Sequence, residues 1–95
     1  MSGMDDSGDV ARGLRAQAIL DDALVGEAFA AIEQECIAEW RRAPARDVEG
    51  RERIWLMLKL AERLKAHFDS VVTSGKLAGE RIAQLEKARR LRLFG

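Results

Sequence analysis

The chain has no tyrosine and, among its 95 residues, one proline, one cysteine and one histidine. Each scarcity removes a class of protein. With Cys36 alone, no internal disulfide can form, and a reducing compartment is the natural setting. With His67 alone, histidine-rich metal sites are excluded. No apolar run approaches the roughly 18 residues that a membrane helix needs. Residues 54–58 make a run of only five. The first residues are acidic and polar rather than basic and then apolar, so no signal peptide is expected. Runs of β-branched residues are confined to Val71-Val72-Thr73. What remains is rich in Ala, Leu, Glu, Arg and Lys, all good helix formers, and an all-α fold follows.

Ninety-five residues suffice for one small domain, whose core must come from two or three helices or be completed by a second copy. The net charge is zero, yet the charges are segregated. Residues 1–40 hold nine acids against Arg12 and Arg15, a net of −7, and residues 41–95 hold fourteen bases against seven acids, a net of +7. A chain of this kind can pair acidic and basic helices within itself or stack head to tail with its copies.

Residues 1–8 combine small residues with like charges and read as a disordered lead to a helical domain over 9–86. Val10, Leu14 and Ala18 make residues 9–20 weakly helical, and Gly13 lowers that tendency by about 1 kcal/mol relative to alanine. Asp21 or Asp22 can cap the next helix. Val25, Phe29, Ile32, Cys36 and Trp40 then recur every three or four residues and share one face, with Glu27, Glu33, Glu35 and Glu39 on or beside the other. Ala43-Pro44 ends this helix, because the residue before proline is pushed out of the α region. The short connection predicts an antiparallel hairpin of residues 21–42 and 47–74. In the second arm Ile54, Leu58, Ala61, Leu64, Phe68, Val71 and Val72 follow helical spacing. Gly75 suits the position just past a helix end, so a third, C-terminal helix is expected over 77–92.

Catalytic chemistry finds little to stand on. His67 has no serine or cysteine at helical spacing to make a dyad, and a surface histidine is the plainer reading. Cys36 lies in an apolar stripe among glutamates, the setting of a core thiol rather than a nucleophile. Glu33, Glu35 and Glu39 lack the Glu-x-x-His partner motif of dimetal bundles. No enzyme activity, cofactor or metal is expected.

Two segments point to partners. Residues 54–58 cannot fit one helical stripe, so Trp55, Leu56, Met57 and Leu60 are candidates for an oligomer interface. Residues 87–95 form a basic and apolar tail in which Arg89, Arg90, Leu91, Arg92, Leu93 and Phe94 suit docking to a second protein. Nucleic acid is a weaker candidate for this tail, since four charges alone give only salt-sensitive binding. No membrane is expected as a partner.

The order of landmarks resembles short helical proteins of head-assembly and DNA-packaging gene clusters in tailed bacteriophages and prophages. It is carried by Asp21-Asp22 leading to Glu27-Ala28-Phe29, then Glu33, Glu35 and Trp40, the Ala43-Pro44 break, Asp47 with Gly50-Arg51-Glu52, Trp55, and Gly75-Lys76-Leu77-Ala78. The resemblance implies a virion-assembly or packaging accessory, similar to the oligomeric core of a small terminase subunit. It departs from classical small terminases in lacking a readable N-terminal DNA-binding domain, and no functional residue carries over. The expectation is therefore a non-enzymatic, homo-oligomeric helical protein of the bacterial cytoplasm or the virion. The alternative is a nucleic-acid accessory or regulator using the basic C-terminal half.

Overall fold

The computed structural model describes residues 6–94, and every regular element among them is an α-helix. These are α1 (Asp6–Asp21), α2 (Ala23–Arg42) and α3 (Val48–Phe94). The all-α class is as expected, and so is a hairpin combined with a third helix. Two boundaries differ. Asp6, Ser7 and Gly8, expected in the disordered lead, form the first turn of α1, while residues 1–5 of that lead lie outside the described residues. The stretch expected as a separate C-terminal helix is helical, but it continues α3 without a stop at Gly75.

The chain divides into two compact units, one of residues 6–18 with 68–94 and one of residues 19–67. The second is the hairpin of α2 and the first part of α3. Asp22 starts α2 from an extended conformation, its Oδ1 accepting from the N–H groups of Leu24 at 2.9 Å and Val25 at 3.2 Å. These are two of the four donors that a helix start leaves without intrahelical partners. Ala43, extended at ψ 133°, closes α2, and its N–H still reaches the Glu39 carbonyl. Asp47 then caps α3 by accepting from Gly50 N–H at 3.0 Å.

Arg51 fastens this corner. Its Nη1 donates to the carbonyls of Trp40 at 3.2 Å and Ala43 at 3.1 Å, and its guanidinium lies 3.6 Å from the centroid of the Trp40 ring. One side chain thus satisfies carbonyls that the end of α2 leaves open and stacks on an aromatic face. Between the arms, Phe29, Cys36, Ile54, Leu58 and Ala61 supply the interior, with Cys36 buried and the other four half-buried.

In the other unit α1 packs on residues 68–94 of α3 through small residues. Gly13 and Ala16 of α1 and Gly75 and Ala78 of α3 are its buried positions. The backbones are nearly in contact. A β-carbon on Gly13 would stand 2.9 Å from the Gly75 Cα, and one on Gly75 would stand 2.9 Å from both the Asp9 carbonyl oxygen and the Gly13 Cα. Only hydrogen fits at either position, because real carbon contacts are longer. This explains why α3 passes through Gly75. The residue serves as a seat for α1, and no glycine among the described residues adopts the positive φ of a helix-ending glycine. Thr73 offers no stop either, since its hydroxyl donates to the Asp69 carbonyl one turn back at 3.0 Å.

Candidate interaction surface

The interior of this chain is thin. Among the described residues the buried apolar side chains are Ala16, Cys36 and Ala78, and no large side chain is fully buried. Such a chain leaves its larger apolar groups outside, and their arrangement on α3 is ordered.

Leu56, Leu60 and Leu64 follow each other at four-residue steps, and Met57 precedes Leu60 by three, so the four share one strip of the helix. Their exposures are 54%, 67%, 54% and, for Met57, 52%. The side of α3 turned to α2 is a different one. Ile54 and Leu58 line a groove with Cys36, Ile37 and Trp40, and Leu58 and Ala61 line another with Phe29 and Ala30. Leu64, placed by spacing with the core series, belongs instead to the exposed strip. It lines neither groove against α2.

Trp55 separates from Leu56, Met57 and Leu60. It stands at the apolar groove of about 170 Å³ that Cys36, Ile37, Trp40, Ile54 and Leu58 complete, and Lys59 Nζ lies 5.5 Å from its ring centroid. Both tryptophans are about half exposed, Trp40 at 45% and Trp55 at 51%. Each therefore closes the loop end of the hairpin on one side and faces outward on the other. The second groove, of about 200 Å³, has an apolar floor of Phe29, Leu58 and Ala61 and charged rims in Glu33, Glu62 and Lys65.

The tail residues Arg89, Arg90, Leu91, Arg92 and Leu93 are helical and exposed. Phe94 ends α3, and its side chain lies outside the described set. Leu91 is 64% and Leu93 75% exposed. His67 is at the surface, and Cys36 is buried as a free thiol. Glu33, Glu35 and Glu39 are exposed, and no group of three or more His, Cys, Asp and Glu among the described residues is placed to hold a metal ion. No described helix is long and apolar enough to cross a membrane.

Arg81 Nη2 donates to Asp6 Oδ1 at 2.8 Å and Arg81 Nε to the same oxygen at 3.2 Å. These hydrogen bonds hold the Asp6 carboxyl below its ordinary value and raise the Arg81 guanidinium. The pair pins the first turn of α1 to α3.

Sequence reasoning missed Arg51 and the Gly13–Gly75 contact. An arginine four residues after a cap carries no local mark of a long-range role. A glycine pair 62 positions apart reads as two local weaknesses. No protein-family model, curated protein or solved structure matches the chain.

Proposed function

We propose that this protein is a non-enzymatic helical interaction protein that works as a homo-oligomer. The observation that carries the reading is the strip of Leu56, Met57, Leu60 and Leu64, more than half exposed and turned away from α2. Soluble monomers expose single apolar side chains freely, whereas a continuous helical strip is the usual mark of a covered face. Covering a residue that starts half exposed contributes on the order of 1 kcal/mol. A carboxylate placed there must instead be desolvated in the interface. Leu60→Glu is therefore expected to weaken self-association by at least about tenfold, or about 1.4 kcal/mol, with helicity unchanged. Sedimentation across a concentration series reads this directly, and a wild-type protein that stays a monodisperse monomer would sink the proposal.

For the biological setting, the order of sequence landmarks favours an assembly or DNA-packaging accessory of a tailed bacteriophage or prophage. Genes for portal, capsid or terminase proteins beside this one are the expected finding. A neighbourhood of host metabolic genes would remove that assignment and leave the interaction reading in place.

A further inference from the structure

Two oppositely charged surfaces remain without partners in the described structure. On α2, Leu24, Ala28, Ile32, Glu35 and Glu39 share one exposed face, spaced by four, four, three and four residues, with Glu27 beside it. Leu24 is 73% and Ile32 41% exposed. On the last turns of α3, Leu85, Arg89, Arg92 and Leu93 share another face, spaced by four, three and one. Leu85 is 66% exposed, and Leu93 more so. After Glu86 the described chain holds no acid, so Lys87, Arg89, Arg90 and Arg92 outnumber the one carboxylate within helical reach of Arg89 and Arg90. The ion pairs found among the described residues, Lys59–Glu62 and Arg81–Asp6, use none of these acids or bases.

Both faces carry two large apolar groups and two like charges, with opposite signs. We infer that the end of α3 in one copy docks on the outer face of α2 in the next, the two running parallel, with Leu85 against Ile32 and Arg89 and Arg92 against Glu35 and Glu39, a register that the 1.5 Å rise per residue allows. The occupant is a second copy of this chain, because the match in sign and in apolar content is between two segments of one sequence. Such a contact uses different patches on the two subunits. It is heterologous and propagates into a ring or an open filament, unlike a self-complementary patch that stops at a dimer. The segregation of −7 and +7 between the two parts of the chain then gains a role, since it sets the polarity of the stack.

Charge exchange tests this without disturbing either helix, as all four charged positions are exposed. The nucleic-acid-free full chain is sedimented over a concentration series at about 50 mM and about 500 mM salt, which bracket strong and weak screening. Species beyond a dimer are expected at low salt and are expected to shrink at high salt. Arg89→Glu with Arg92→Glu loses them, as does Glu35→Arg with Glu39→Arg, each by at least about tenfold in association constant. An equimolar mixture of the two variants restores them, because every tail then finds a face of opposite sign. Large species in either variant alone, a mixture that stays apart, or a salt response independent of concentration each overturns the inference. So do tail variants that assemble like wild type while losing retention on a DNA duplex, an outcome that would assign the tail to nucleic acid. A dimer that persists in the tail variants at high salt and is lost in Leu60→Glu keeps the strip on α3 separate from this contact.

Discussion

Residues 6–18 and 68–94 meet through Gly13, Ala16, Gly75 and Ala78, whereas the arms of residues 19–67 meet through Phe29, Cys36, Ile54 and Leu58. In the first unit the backbones approach until only hydrogen fits between them. In the second, side chains hold the helices apart and leave grooves of about 170 and 200 Å³ beside the contact. Backbone contact is intolerant of added atoms, and side-chain contact is intolerant of removed ones. The same type of substitution should therefore have opposite consequences in the two halves of the protein.

The largest effect is expected from Gly75→Leu, whose side chain cannot be placed against the Asp9 carbonyl and the Gly13 Cα without moving a helix. A loss of about 3 kcal/mol, the upper part of the range for overpacking, should detach α1. Hydrogen exchange should then show α1 amides unprotected while α2 stays protected. Protection of α1 equal to wild type would dissolve the contrast between the units.

Truncation is the matching test of the hairpin. Phe29→Ala should destabilise residues 19–67 by about 2 kcal/mol, below the usual value for a fully buried phenylalanine because Phe29 is only half-buried. Denaturant unfolding checks it, and a shift below a few tenths of a kcal/mol would show that the arms are held by Arg51 and the caps rather than by packing.

A finer comparison replaces glycine by alanine in both units. At Gly26 a new β-carbon meets nothing within 4 Å, so Gly26→Ala should stabilise α2 by about 1 kcal/mol through helix propensity alone. At Gly13 the same propensity gain is opposed by a clash with the Gly75 backbone, whose cost of about 1–3 kcal/mol exceeds it. The two variants should move the melting temperature in opposite directions. Equal signs would mean that the backbones are not in contact in solution.

The smallest effect concerns acid. Asp6 has its carboxyl pKa lowered by hydrogen bonding from Arg81, so its contribution is present above the ordinary carboxylate value of 3.8 and is lost as pH falls through the lowered one. Helicity at the start of α1 should fray below that range, and Asp6→Asn should be frayed already at neutral pH. An NMR titration in which Asp6 protonates at the same pH in wild type and Arg81→Gln would show that the pair is not formed.

Much of the hairpin was legible in advance. Asp22 and Asp47 announce helix starts because a short carboxylate reaches backbone donors two or three residues on, and Ala43-Pro44 announces a stop because the proline ring restricts its neighbour. The strip of α3 was half legible. Leu56, Met57 and Leu60 belong to it, but Trp55 turned to the groove beside Trp40, and Leu64 left the core series. Which side of a helix is covered depends on where its neighbour lies, and that is not a property of spacing.

Gly13 and Gly75 mark the limit most sharply. Read locally, one weakens a helix and the other ends one, since glycine is the residue of greatest backbone freedom. Their actual part depends on its other property, the missing β-carbon, which has no effect until another chain segment comes close. Composition, periodicity and caps therefore determined that this chain is helical and where its loop falls, because those choices are made within a few residues. The tertiary structure decided that α3 runs unbroken through Gly75, that Arg51 fastens the end of α2, and which leucines stay outside. These outcomes rest on contacts between residues distant in sequence, and their free energy appears only when the segments meet.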